Sequence, residues 1–190
     1  MWFRRKEPKE LGDRPCPCCG KLVFMEKEKG MCFICEFCSW EDEYIEGPDE
    51  FSDCNYMSLN GCKKEYSLII SADPSYIWGR SFNRTRTKYI DPLQKIKDAI
   101  KQEYKEIFEI VKQSIDKWDC MGFLDYRIDD VYDLQTIEIV PIVSRIDGAE
   151  ELTDHIIKIF AEYFGTGYES ERAEAKKVAE EILYAKSKTN

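Results

Sequence analysis

The chain has 190 residues with 28 basic and 37 acidic side chains, a formal net charge of −9, one histidine and nine cysteines. Its 43% hydrophobic content is enough for packed cores in one domain or two small ones, while the acidic balance disfavours a nucleic-acid backbone as ligand and suits a basic protein. No window approaches the roughly 20 apolar residues of a membrane-spanning helix. The opening "MWFRRKEPKE" has no apolar run behind its basic residues, so a cytoplasmic protein with reduced thiols is expected.

Six cysteines fall between Pro15 and Trp40. "CPCCG" sets Cys16 and Cys19 three positions apart, with Pro17 to fix the turn and Gly20 able to take positive φ where the chain reverses. Fifteen residues later, "CEFC" supplies Cys35 and Cys38, so the whole reads C-x2-C-x15-C-x2-C. That spacing is typical of structural zinc, with two knuckles on two hairpins supplying four thiolates. The intervening "KLVFMEKEKGMCFI" has β-rich flanks and Gly30 at the turn, as a ribbon hairpin requires. One Zn2+ per chain on Cys16, Cys19, Cys35 and Cys38 is therefore expected.

The spare cysteines leave alternatives open. Cys18, inside the first knuckle, is expected to point away from the metal, although it could exchange roles with a ligand. Cys32 forms a second C-x2-C with Cys35, a competing register, and otherwise reads as a small hydrophobe in a strand. Cys54 and Cys62 could join Cys18 and Cys32 in a second metal site, but core packing is the preferred expectation. Cys120 stands alone as a packing thiol.

"CPCCG", "CEFCSWEDE" and "DCNYMSLNGCKKEY" together resemble the bacterial cysteine-rich family named for its CPCC motif. The resemblance is carried by Cys16, Cys18, Cys19, Gly20, Cys35, Cys38, Trp40, Glu41, Asp42, Asn55, Ser58 and Leu59, and covers Arg14 to Tyr66. It implies zinc binding, a short helix after the Ser-Leu pair, and an accessory or immunity-type role, with no catalytic residues to carry over. Gly61, Cys62 and Lys63 depart from the family's usual Glu-Ala-Arg, which weakens the local helix.

After this module, "SADPSYIWGRSFNRTRTKYIDP" reads as a basic connector. From Asp91 and Pro92, an N-cap with a first-turn proline, the residues Leu93, Ile96, Ile100, Tyr104, Ile107, Val111, Ile115 and Trp118 trace one face of a single long helix. "VYDLQTIEIVPIVSRID" has a helical pattern that Pro141 should kink or split. "AEELTDHIIKIFAEYFG" carries an apolar stripe ending at a glycine cap, and "SERAEAKKVAEEILYAKS" supplies a last helix from a Ser170 cap. The fold class expected is α+β: a small zinc-ribbon β module (12–72), a basic linker (73–91) and an all-α bundle of about four helices (92–190). Through "DKWDCMGFL", "DDVYD" and "EELTDHIIKIFAEYFG", the second module resembles a family of small all-helical bacterial domains of unknown function, which implies only its fold.

No catalytic constellation stands out. His155 lies beside an apolar stripe, where a packed imidazole is the ordinary outcome. Asp119, Asp125, Asp129, Asp130 and Asp133 miss the spacing of a calcium loop. Four thiolates close the zinc shell and leave no coordination position for a substrate, so no enzyme is expected. The stretch "CEFCSWEDEYIEGPDEFSDC" holds eight acidic residues and no lysine or arginine. Trp40, Glu41, Asp42, Glu43 and Tyr44 are the candidate protein-binding patch, with Phe51 nearby and a second acidic stretch at Asp116–Asp133 with Tyr126 and Tyr132. The function expected is a non-catalytic zinc protein that binds another protein, most specifically an immunity protein neutralising a basic toxin. The alternative is a zinc-ribbon adaptor acting on nucleic acid or its machinery.

Overall fold

A computed structural model of the chain describes residues 12–78, 92–124, 131–165 and 171–189. The architecture is α+β, with short hairpins around a cysteine cluster followed by helices, and the chain divides into two compact units, Met1–Asp91 and Pro92–Asn190.

The first unit contains three two-stranded antiparallel hairpins: β1 (Arg14–Pro15) with β2 (Leu22–Phe24), β3 (Phe33–Ile34) with β4 (Glu41–Asp42), and β5 (Phe51–Ser52) with β6 (Met57–Ser58). Strands this short cannot bury much apolar area, and the unit's core reflects that. Of its eight buried residues, four are cysteines (Cys16, Cys35, Cys38, Cys62), packed with Phe24, Phe37, Trp40 and Leu59. Helix α1 (Leu59–Ala72) follows β6 directly, and the Ser58 hydroxyl caps it by accepting from Gly61 N at 3.0 Å. That cap supports the helix expected after the Ser-Leu pair, despite the glycine in its first turn.

The second unit is helical throughout its described residues: α2 (Pro92–Glu103), α3 (Lys105–Trp118), α4 (Asp133–Val143), α5 (Ala149–Phe164) and α6 (Arg172–Thr189). The single long helix expected from Leu93 to Trp118 is instead two, broken at Tyr104 (φ −125°, ψ 41°). Lys97 and Lys112 both reach the Asp133 carboxylate, Lys112 at 3.5 Å. On one straight helix those lysines would lie about 22 Å apart along the axis. The bend lets both halves pack on α4, and no glycine or proline announces it in sequence. Pro141 also behaves differently from expectation. It sits in the last turn of α4, which ends at Val143 without splitting, and its carbonyl accepts from the Ser144 hydroxyl at 2.8 Å and from Arg145 Nε at 2.9 Å.

α4 is the central element, with Ile137, Ile139, Val140 and Val143 all buried. Over it lies a cluster of rings, with Trp118–Phe160 centroids at 4.9 Å, Phe160–Phe164 at 5.7 Å and Tyr132–Phe160 at 6.0 Å, in the offset and tilted geometries that aromatic quadrupoles favour. Ala175 and Ala179 are fully buried on α6, where small side chains allow close helix approach. Residues 79–91 of the expected linker, the "FRRK" segment, Ser170 and Asp91 lie outside the described residues.

Candidate metal centre

The two CxxC stretches fold into the same turn twice. In the first, Cys16 N donates to Lys21 O at 2.8 Å and Gly20 N to Cys16 O at 2.9 Å; in the second, Cys35 N donates to Trp40 O at 2.8 Å and Ser39 N to Cys35 O at 2.9 Å. The equivalent residues Gly20 (φ +76°) and Ser39 (φ +72°) are both left-handed, which glycine adopts freely and serine only at a cost. Each knuckle turns its two thiols inward from the end of a hairpin.

The four sulfurs meet. Cys16 Sγ and Cys38 Sγ are 3.6 Å apart, as are Cys19 Sγ and Cys35 Sγ, and all four lie within 4.8 Å of one another. A tetrahedron with metal–sulfur bonds of 2.3 Å has an edge of about 3.8 Å, so the spacing is that of a tetrahedral thiolate site able to hold a metal ion. Electrostatics agree. Hydrogen bonding with Cys16 pushes the Cys19 and Cys35 thiols down, while hydrogen bonding with Cys19 pushes Cys16 up and hydrogen bonding with Cys16 pushes Cys38 up. Four thiolates cannot crowd together without a cation. A bound metal removes the conflict, so metal uptake releases protons and falling pH opposes it.

Asp42 and Arg14 lock the hairpins to each other. Arg14 Nη1 donates to Asp42 Oδ1 at 3.0 Å, and Nη2 pairs with the other carboxylate oxygen. Arg14 also lies over the Phe24 ring at 5.0 Å, and its guanidinium is pushed up first by hydrogen bonding to Asp42. Bidentate geometry of this kind is the strong form of a salt bridge. Asn55 ties the β5–β6 turn to β4: its Oδ1 accepts from Glu41 N at 2.8 Å, and its Nδ2 donates to Glu41 O at 3.0 Å. In the sequence Asn55 stood out by resemblance only, and Asp42 by resemblance and as part of the acidic patch, not as a clasp. Their roles depend on long-range contacts, for which neighbouring residues give no signal.

These contacts correct the candidate protein-binding patch. Trp40 is 1% exposed and packs against the thiols, and Asp42 is 3% exposed and paired with Arg14. Neither offers a surface, because the small core needs the indole as filling and the hairpins need the carboxylate as a clasp. Glu41 and Glu43 are half-buried, and only Tyr44 (75%) is open to solvent. The exposed aliphatic and phenyl side chains of this unit include Met31, Phe33 and Ile34, on β3 and just before it, and Leu22 on β2. The second acidic stretch is corrected as well. Lys112 holds Asp116, Asp133 is paired with Lys97 and Lys112, and Asp119 accepts from Phe123 N at 2.9 Å and from the buried Tyr132 hydroxyl at 2.7 Å. Those carboxylates build the helical unit. Asp125, Tyr126, Asp129 and Asp130 lie outside the described residues. Phe51, His155 and Cys120 are half-buried.

The spare cysteines separate into two pairs instead of one four-thiol site. The buried Cys62 thiol donates to Cys18 Sγ at 3.0 Å. Cys18 is pushed down to about 5, first by hydrogen bonding with Cys38 and then with Cys62, and it packs against the core of the unit without joining the four sulfurs. Cys32 is not a buried hydrophobe: it is exposed, left-handed (φ +56°), and its Sγ lies 3.7 Å from that of Cys54.

Residues 14–77 match the model of a family described as Cysteine-rich CPCC. No curated protein and no solved structure matches the chain. The first unit is thus similar to the cysteine-rich CPCC family over the hairpins, the thiol cluster and α1.

Proposed function

We propose that the chain is a non-catalytic zinc protein that binds another protein. The observation that carries this reading is the closed group of four sulfurs at tetrahedral spacing: four thiolates satisfy zinc completely, which makes the ion a structural support for its hairpins. Zinc suits such a set because it takes tetrahedral geometry without preference from its d electrons and binds thiolate well. The resemblance to the CPCC family supports the same reading.

The binding surface we propose is the exposed part of the ribbon around β3, with Phe33, Ile34 and Tyr44 and the exposed carboxylates of Glu36 and Glu46. Exposed rings and aliphatics act as anchors and acidic neighbours steer a cationic partner. Neutralisation of a basic toxin is the specific form of that reading. No helix among the described residues is long and apolar enough to cross a membrane.

Capture of cationic proteins on the immobilised full chain tests the partner. Glu46→Lys should slow association and flatten its salt dependence, whereas Tyr44→Ala should speed dissociation. A partner whose kinetics ignore both changes would place the interface elsewhere. Tight, salt-sensitive binding of nucleic acid in place of protein would favour the adaptor reading.

A further inference from the structure

Cys32 and Cys54 lie outside the four-sulfur group, yet their sulfurs stand 3.7 Å apart. That is the spacing of the established thiol pairs, at 3.6 Å, and of a tetrahedral edge with metal–sulfur bonds of 2.3 Å, about 3.8 Å. The Cys18–Cys62 contact, at 3.0 Å, is shorter and reads as a thiol hydrogen bond. Three separate pieces of chain converge on the Cys32–Cys54 pair. Cys32 N donates to Asp42 O at 2.8 Å, adding a rung below β3. Glu43 N turns back onto Glu41 O at 2.9 Å, directing the chain as it leaves β4. The turn holding Cys54 is clamped to β4 through Asn55.

Glu43 lies beside Cys54. Its carboxylate interacts with the Cys54 thiol, and its Oε1 is buried with no hydrogen-bond partner. A buried, unpaired carboxylate oxygen is costly unless something positive meets it. The stretch from Cys35 to Cys54 itself contains no lysine or arginine.

We infer that Cys32, Cys54 and Glu43 form a second, open site for a thiophilic divalent cation such as Zn2+, separate from the structural centre. In such a site Glu43 would turn its carboxylate onto the ion as the third donor, and the fourth coordination position would be left to water or to a donor from another molecule. Such a site exchanges its ion, whereas four thiolates retain theirs. The alternative use of two adjacent thiols, reversible disulfide formation, is disfavoured because a neighbouring carboxylate opposes the thiolate that must attack.

The test is titration of the reduced full chain with Zn2+ against a chromophoric chelator, repeated with Co2+ so that thiolate-to-metal absorption reports sulfur ligation. Wild type should take up two equivalents, the second more weakly. The double variant Cys32→Ser/Cys54→Ser should take up one and keep native amide protection across the first unit. Glu43→Gln should keep both equivalents and weaken the second by about tenfold or more. Saturation of wild type at one equivalent overturns the inference, as does a second equivalent that survives in the double variant. A Cys32–Cys54 disulfide that, once reduced, still leaves a single equivalent overturns it too. The first equivalent depends on Cys16, Cys19, Cys35 and Cys38, so its loss would count against the zinc centre alone.

Discussion

The two units solve the problem of small size with different materials. The helical unit buries Phe108, Val111, Ile139, Leu152, Ile156, Phe160, Tyr163 and Ile182 between helices of 11 to 18 residues, and packed apolar faces are what make such helices stable. The cysteine unit has strands of two or three residues and a core half made of thiols. A cluster that small buries too little apolar area to hold itself together. From this comparison we expect stability to be intrinsic to one unit and conditional on a metal in the other.

The largest effect should come from the thiols. Cys35→Ser removes a fully buried ligand, and metal-coupled folding in small zinc sites is worth on the order of 10 kcal/mol, so the first unit should lose its fold and its metal. Circular dichroism should show the helical signal of the second unit largely retained, and metal analysis should show the zinc gone. A variant with full zinc and native stability would break the comparison.

A smaller effect is expected on the other side. Phe160→Ala leaves a cavity among Trp118, Tyr132 and Phe164 and should cost the helical unit about 3–5 kcal/mol, read by denaturant unfolding. Zinc affinity should be unchanged. Coupled loss of zinc would show that the units do not stabilise independently.

The smallest effect sharpens the symmetry of the knuckles. Nothing lies within 4 Å of a Cβ added at Gly20, so Gly20→Ala has only its left-handed backbone to resist it, a cost of about 1 kcal/mol. Ser39→Gly, at the equivalent position, should be neutral or slightly stabilising, because relief of the same strain offsets the greater freedom of the unfolded chain. Destabilisation by both substitutions would mean that the two turns are not equivalent.

Much of the site could be read from the chain because its information is local. CxxC spacing, Gly20 after the first knuckle, Gly30 at φ +75° and the Ser58 cap each act within a few residues. The same holds for the helical stripes at Leu152–Phe164. What escaped the sequence is what depends on distant partners. The Arg14–Asp42 clasp joins residues 28 apart, Tyr104 breaks a helix so that both halves can reach α4, and Trp40 turns inward because a core of thiols has space for an indole. An acidic run with interspersed rings looks the same in sequence whether its aromatics face water or sulfur. Burial of Trp40 and Asp42, with Tyr44 left outside, was decided by the closing of the hairpins.

Amide hydrogen exchange on the full chain, with and without a zinc chelator, tests the central claim most directly. Chelation should abolish protection across residues 14–72, where hairpins and α1 are expected to depend on the metal, and leave protection across α2 to α6 unchanged. Loss of protection in both units together, or in neither, would contradict the account.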